Sequence, residues 1–198
     1  ITEKTKAIVT VDYGGIPCDY DEILQIAAEF NLKVIDDAAH AVGATYRGKK
    51  LGQLADFTTY SFQAIKHITT GDGGMLTIKD PDIYEKAKRL RWFGIDRKAK
   101  QNGIWANDIT EIGYKYQMTD IGAAMGLAGL EMFNETLDKR KKLLSLYQSL
   151  LSNNSSVYNV GGKKLVDREH AAWLHTIYVE NREDLQTKLR ENKIESGQ

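Results

Sequence analysis

"AIVTVDYGGIPCDYDEILQIAAEFNLKVIDD", Ala7 to Asp37, decides the fold. Ala7 to Val11 is an apolar, β-branched run that ends at a turn signal, Tyr13-Gly14-Gly15-Ile16-Pro17. Asp19 then offers a helix-capping carboxylate with Glu22 three residues on, and Ile23, Leu24, Ala27 and Phe30 recur at helical spacing. Lys33 to Asp36 is a second short apolar run. Strand, helix and strand in this order predict a βαβ unit with a largely buried parallel sheet, because the crossover helix covers one face.

Downstream, Phe57 to Phe62 and Met75 to Ile78 read as further strands, and Pro81 opens a helix with Ile83, Ala87 and Leu90 on one face. Periodicity is lost from Arg91 to Met118, where Gly94, Gly103 and Gly113 punctuate an aromatic-rich stretch. A long ordered loop of this kind is functional or interfacial. Thr119 is placed to cap a helix carrying Ile121, Ala124, Met125, Ala128 and Met132, and a later stripe uses Leu137, Leu144, Tyr147 and Leu151. This length predicts one long connecting helix, 119–152, between a domain over 1–118 and a second, incomplete one over 153–198. The second begins with a polar linker, Asn153 to Gly162, followed by a strand over Trp173 to Val179 and a helix over Arg182 to Asn192.

Among 198 residues, Lys plus Arg equals Asp plus Glu at 27 each, with no long block of one sign. That balance points to no nucleic-acid or anionic-membrane partner. Cys18 is the lone cysteine, so no internal disulfide can form, and no Cys/His set has metal-ligand spacing. Apolar runs are too short for a membrane-spanning helix of about 20 residues. With no signal-peptide pattern either, the expected compartment is the cytoplasm. The first residue is Ile1 and the last stretch reads as a strand cut short, which predicts a piece of a longer polypeptide.

Two stretches concentrate chemistry. "VIDDAAHA" places Asp36, Asp37 and His40 at the end of the second strand, where ligands gather in open α/β sheets. The acids there either cap the strand or reach a ligand. "SFQAIKHITTGDGG" follows a later strand with Ser61, Lys66 and His67, then Gly71, Gly73 and Gly74. It lacks the GxxxxGK[ST] pattern of a phosphate-binding loop. Lys66 is open to three readings: a phosphate contact, a surface charge, or an amine nucleophile forming a Schiff base beside an electron-sink cofactor.

Taken together, "PCDYDEI", "VIDDAAHAVGATYRGKKLGQLADFTTYSFQAIKHITTGDGGMLTI" and "IGYKYQMTDIGAAMGLAGLE" resemble the DegT/DnrJ/StrS family of pyridoxal-phosphate-dependent nucleotide-sugar aminotransferases. Motif order and spacing match over essentially the whole chain. The resemblance implies a fold-type I PLP-transferase (aspartate-aminotransferase-like) α/β architecture: a partial large domain with a mixed, mainly parallel sheet, and part of a small α+β domain. It also implies that the beginning of the large domain and the end of the small one are missing.

Roles carried over from the family fall on five residues. Lys66 holds pyridoxal 5'-phosphate as a Schiff base and shuttles the proton. Asp37 pairs with the pyridine nitrogen, His40 faces the ring's phenolic oxygen, and Ser61 donates to the phosphate. Lys115, in "GYKYQ", stands where the family often has an asparagine for the phosphate of the partner subunit's cofactor; a cation there serves a phosphate, meets the sugar nucleotide, or is simply solvated. "RWFGIDR" replaces the more usual Arg-Asn-His-Gly, so no role is carried over for Arg91 to Arg97. Asp36 is expected to face away from Asp37, because strand neighbours point to opposite faces. The implied partners are a nucleotide-sugar substrate, an amino-acid donor with glutamate foremost, and a second copy of the chain in a homodimer.

Two alternatives remain at this point. Relatives with histidine in place of the lysine are sugar dehydratases, and His67 raises that option, although the spacing from Ser61 puts Lys66 at the key position. A non-catalytic regulatory or binding relative would keep the fold without needing the lysine.

Overall fold

The computed structural model describes residues 1–103, 109, 111–154, 157–158 and 166–197. Strand β1 (Ala7–Val11) leads through a tight turn at Tyr13–Gly15 to helix α1 (Tyr20–Glu29) and strand β2 (Lys33–Asp37). Two short strands follow, β3 (Thr45–Tyr46) and β4 (Lys49–Lys50), then the long strands β5 (Phe57–Ser61) and β6 (Gly74–Ile78). The remaining elements are α2 (Pro81–Leu90), α3 (Arg97–Gln101), α4 (Asp120–Glu131), α5 (Phe133–Leu151), β7 (Val157–Tyr158), β8 (Arg168–Glu169), β9 (Tyr178–Val179) and α6 (Arg182–Glu191).

The main sheet runs β1-β2-β5-β6, with β1, β2 and β5 parallel and β6 antiparallel to β5. The expected βαβ unit is present, and the sheet is mixed but mainly parallel. In β2 the side chains alternate: Val34 and Asp36 are fully buried, while Ile35 and Asp37 are half-buried. Val34 packs with Ala27 of α1 and Ala55, and a larger cluster gathers Tyr20, Ala38, Ala41, Tyr46, Leu51 and Ala171. Ala38 and Ala41 directly follow β2, and their small side chains let the chain turn closely beneath the strand ends. Not all of the sheet is covered, since Val9 and Val11 of β1 are 65% and 49% exposed.

Three local expectations change. Asp19 makes no capping bond to α1; its carboxylate binds Arg168 instead at 2.7 Å, because a guanidinium from far along the chain outcompetes the local N–H groups. The single connecting helix is two, α4 and α5, meeting at Met132. Their apolar residues continue without a sequence break, so periodicity alone did not reveal the joint. Trp173 to Val179 forms a strand only at Tyr178–Val179, and the residues before it pack elsewhere.

The two ends of the stretch after α2 are joined to each other through their backbones. Phe93 N–H donates to the Tyr114 carbonyl at 3.1 Å and Tyr114 N–H to that of Leu90 at 2.8 Å. A Cβ on Gly113 would lie 2.1 Å from the Gly94 nitrogen, so the two backbones cross where only glycine fits. The short helix α3 lies inside this loop; Ile104 to Asp108, Thr110, most of the Asn153 to Gly162 linker and Gln198 lie outside the described residues.

Candidate active site

The site is built at the carboxyl ends of β1, β2 and β5, where strands stop donating to one another. Asp37 ends β2, and its Oδ1 accepts the Ala39 N–H at 3.1 Å in a turn. Its second oxygen makes no hydrogen bond among the described residues. Ala38 N–H donates to the Thr59 carbonyl at 2.9 Å, which ties this turn to β5 and carries the chain to His40.

His40 is oriented by the turn after β1. Gly14 N–H donates to His40 Nδ1 at 3.3 Å, and a backbone N–H can only donate, so the neutral imidazole carries its proton on Nε2. Burial, with the nearby Lys66 charge, holds the imidazole below its usual range and so favours this neutral form, against an opposing pull from Asp37. Gly15 has φ +101, and a Cβ there would sit 3.1 Å from both the Ala171 Cβ and the His40 carbonyl. Glycine is required here by conformation and by space.

Lys66 sits in the loop between β5 and β6. Phe62 N–H bonds the Gly73 carbonyl at 2.8 Å and Thr70 N–H bonds the Phe62 carbonyl at 2.9 Å, closing the loop at its base. Within it, Ser61 Oγ accepts from Gln63 N–H at 3.4 Å, and Lys66 N–H donates to the Gln63 carbonyl at 2.9 Å. Lys66 Nζ lies 4.2 Å from the centre of the Trp173 ring. Desolvation lowers its pKa from the ordinary lysine value, and the charge of Asp37 partly restores it. A lowered pKa raises the fraction of free amine at neutral pH, which is what a nucleophile needs.

Asp37, His40 and Lys66 are thus brought together, with Ser61 at the foot of the same loop. Lys115 belongs to another cluster: it pairs with Trp92 in an antiparallel bridge, its Nζ 5.8 Å from that ring, with the Arg97 guanidinium 5.6 Å from the same ring. Asp36 faces the interior, as strand alternation predicts.

Sequence reading missed three contributors. Gly14 and Gly15 were legible only as a turn. Trp173 was assigned to a strand, yet it stacks on His40 with ring centres 4.4 Å apart and planes 3° from parallel. No short-range pattern marks a contact made across more than a hundred residues.

His67 is turned away from this cluster. It is buried, and its Nε2 bonds the Ala171 carbonyl at 2.8 Å. Desolvation pushes its pKa down to about 4, ahead of the opposing bond to Ala171. A histidine depressed on folding contributes stability that is present above the unfolded value near 6.5 and lost as pH falls toward 4. His67→Gln, which keeps an N–H for Ala171, should therefore flatten the acid limb. Thermal unfolding at pH 7 and pH 4.5 should show the loss on acidification reduced by about 1–2 kcal/mol relative to the natural protein; an unchanged loss would place the acid sensitivity elsewhere.

The donor set suits pyridoxal phosphate. A carboxylate with one open oxygen, an imidazole N–H of fixed tautomer, a partly desolvated amine and a hydroxyl answer respectively to a pyridinium N–H, a phenolate oxygen, an aldehyde carbon and a phosphate.

The fold and the site define an α/β protein with a lysine set against a carboxylate and an imidazole at strand ends. The chain belongs to the DegT/DnrJ/EryC1/StrS aminotransferase family, whose model matches residues 1–198. Aminotransferases of this family depend on pyridoxal phosphate. The chain is 43% identical over 177 residues to the GDP-perosamine synthase of Caulobacter vibrioides, covering 89% of this chain and 46% of that protein. Among solved structures, AtS13 from Actinomadura melliaura superposes with a TM-score of 0.92 at 35% identity, covering all of this chain and 54% of that one. Spr1654 from Streptococcus pneumoniae in its PMP form gives a TM-score of 0.88 at 34% identity, over 100% of this chain and 56% of its own. The chain spans about half the length of the curated relatives it matches.

Proposed function

We propose that the protein is a pyridoxal-phosphate-dependent aminotransferase that moves an amino group from an amino-acid donor, glutamate foremost, to a keto group on a nucleotide-linked sugar, in amino-deoxysugar synthesis. The observation that carries this reading is the convergence of Lys66, Asp37 and His40 at the strand ends of a chain belonging to this family. When bound, the cofactor supplies a protonated aromatic ring that withdraws electrons from the amine-bearing carbon.

The chain's own groups do the rest. Lys66, with its lowered pKa, would be the covalent tether and then the base that moves the proton from the donor carbon to the cofactor carbon that had held the tether. Asp37, through the oxygen not engaged by Ala39, would hold the ring N–H and keep it protonated. His40 would donate its Nε2–H to the ring oxygen, and Ser61 would bond the phosphate. Lys115, with Arg97 beside the same indole, offers positive charge to a phosphate of cofactor or substrate. His67 is engaged by Ala171 and takes no part.

The same reading includes a cytoplasmic homodimer. Support for an interface comes from α4 and its end, where Ile121, Leu127, Leu130 and Met132 are 79%, 64%, 57% and 61% exposed, an apolar surface of the kind that another chain covers. It divides the chain into a partial large domain, a connector and a partial small domain at about residues 118 and 152.

The test is the first half of the reaction. Purified full-length protein loaded with pyridoxal phosphate and mixed with glutamate, with no acceptor, should release a stoichiometric amount of 2-oxoglutarate, read by mass spectrometry. Failure to release a keto acid from any amino donor would refute transamination.

A further inference from the structure

Residues 166–175 come from beyond the elements that place Lys66 and His40, yet they close against both. The Arg168 side chain, only 7% exposed, anchors the segment: its guanidinium donates to the Pro17 carbonyl at 2.6 Å and to Asp19 at 2.7 Å, and lies 4.8 Å from the centre of the Tyr46 ring. Ala171 N–H then donates to the Gly15 carbonyl at 2.8 Å, Leu174 N–H to that of Gly14 at 3.1 Å, and His67 holds the Ala171 carbonyl. Ala172 has φ 53, a left-handed conformation that a non-glycine residue adopts only under constraint.

Everything in this strap aims Trp173. Its ring lies parallel to His40 and next to the Lys66 ammonium, while its buried Nε1 has no hydrogen-bond partner among the described residues. A buried donor left unpaired is unfavourable, so the indole is held by its π face. We propose that Trp173 is a positioning residue of the Lys66 site, its indole fixing the ring plane of His40 and holding the Lys66 ammonium beside it. An imidazole N–H lies in the ring plane, so fixing the plane fixes where Nε2–H points. The cation is held because an indole face attracts ammonium more strongly than any other aromatic side chain. The inference rests on reading His40 and Lys66 as the cofactor-holding groups.

The test uses the full-length protein with Trp173→Leu, which keeps apolar bulk, and Trp173→Phe, which keeps an aromatic face. Without cofactor, the His40 ring is titrated by NMR; the groups facing it are Lys66, Asp37, the Gly14 N–H and the edge of Tyr13. In a second assay, the rate at which added pyridoxal phosphate becomes fixed to Lys66 by borohydride is measured. In Trp173→Leu the released, hydrated imidazole should titrate at higher pH and fixation should slow about 10-fold; Trp173→Phe should restore most of both. Leucine and phenylalanine behaving alike, or both behaving as the natural protein, would overturn the proposal. If the natural protein itself fixes nothing at Lys66, the assignment of that lysine falls, while the His40 titration still decides the role of Trp173.

Discussion

Lys66→Ala should leave a folded protein that binds pyridoxal phosphate reversibly, incorporates none of it under borohydride, and turns over at least about 10²–10⁴-fold more slowly. The expectation follows from the division of labour at the strand ends. Asp37, His40 and Ser61 are placed by β2, β5 and their turns, and none depends on the lysine side chain for its position. Removing the amine therefore deletes tether and base together without dismantling the cradle. Lys66 lies partly in solvent beside Trp173, so the truncation opens no closed cavity and should cost little stability. A small primary amine added to Lys66→Ala should recover part of the rate, because the lost group is a proton carrier of simple shape. Unchanged turnover in the variant would remove Lys66 from the mechanism.

The strands and helices that place this site were legible because their apolar runs are short, bounded and of one period. Val34 and Asp36 share a buried face of β2, with Asp37 on the other, as alternation demands. The pairing of Asp37 with Lys66 was reached differently. It came from spacing recognised as a family pattern, since nothing in either local stretch separates a ligand group from a loop charge. What stayed hidden were contacts between distant segments: Gly14 N–H to His40 is 26 residues apart, and His67 to Ala171 is 104. The joint at Met132 was hidden for the opposite reason, because a continuous apolar stripe satisfies one helix as well as two.

The same exchange, aspartate to asparagine, should have opposite consequences at positions 36 and 37. Asp36 is fully buried; its Oδ1 accepts weakly from the Thr10 hydroxyl at 3.5 Å, and its Oδ2 makes no close hydrogen bond among the described residues. Beside it, buried Asp12 accepts the Cys18 N–H at 2.7 Å and the Tyr20 hydroxyl at 2.9 Å. Desolvation, and then the charge of Asp12, push Asp36 up to about 7, and desolvation also raises Asp12. An acid whose pKa rises on folding contributes stability that is complete below its unfolded value near 4 and is lost as pH climbs through 7. Asp36→Asn places a permanently neutral group there, so the variant should match the natural protein near pH 4 and exceed it by about 1–3 kcal/mol at pH 8 in denaturant unfolding. Turnover should change little, because this side chain faces away from Lys66. Asp37→Asn removes a partly exposed charge from the cofactor side of β2, so stability should shift by no more than about 0.5 kcal/mol while turnover falls on the order of 10²-fold. Loss of activity in Asp36→Asn with Asp37→Asn unaffected would exchange the roles of the two acids and overturn the assignment of the strand-end carboxylate.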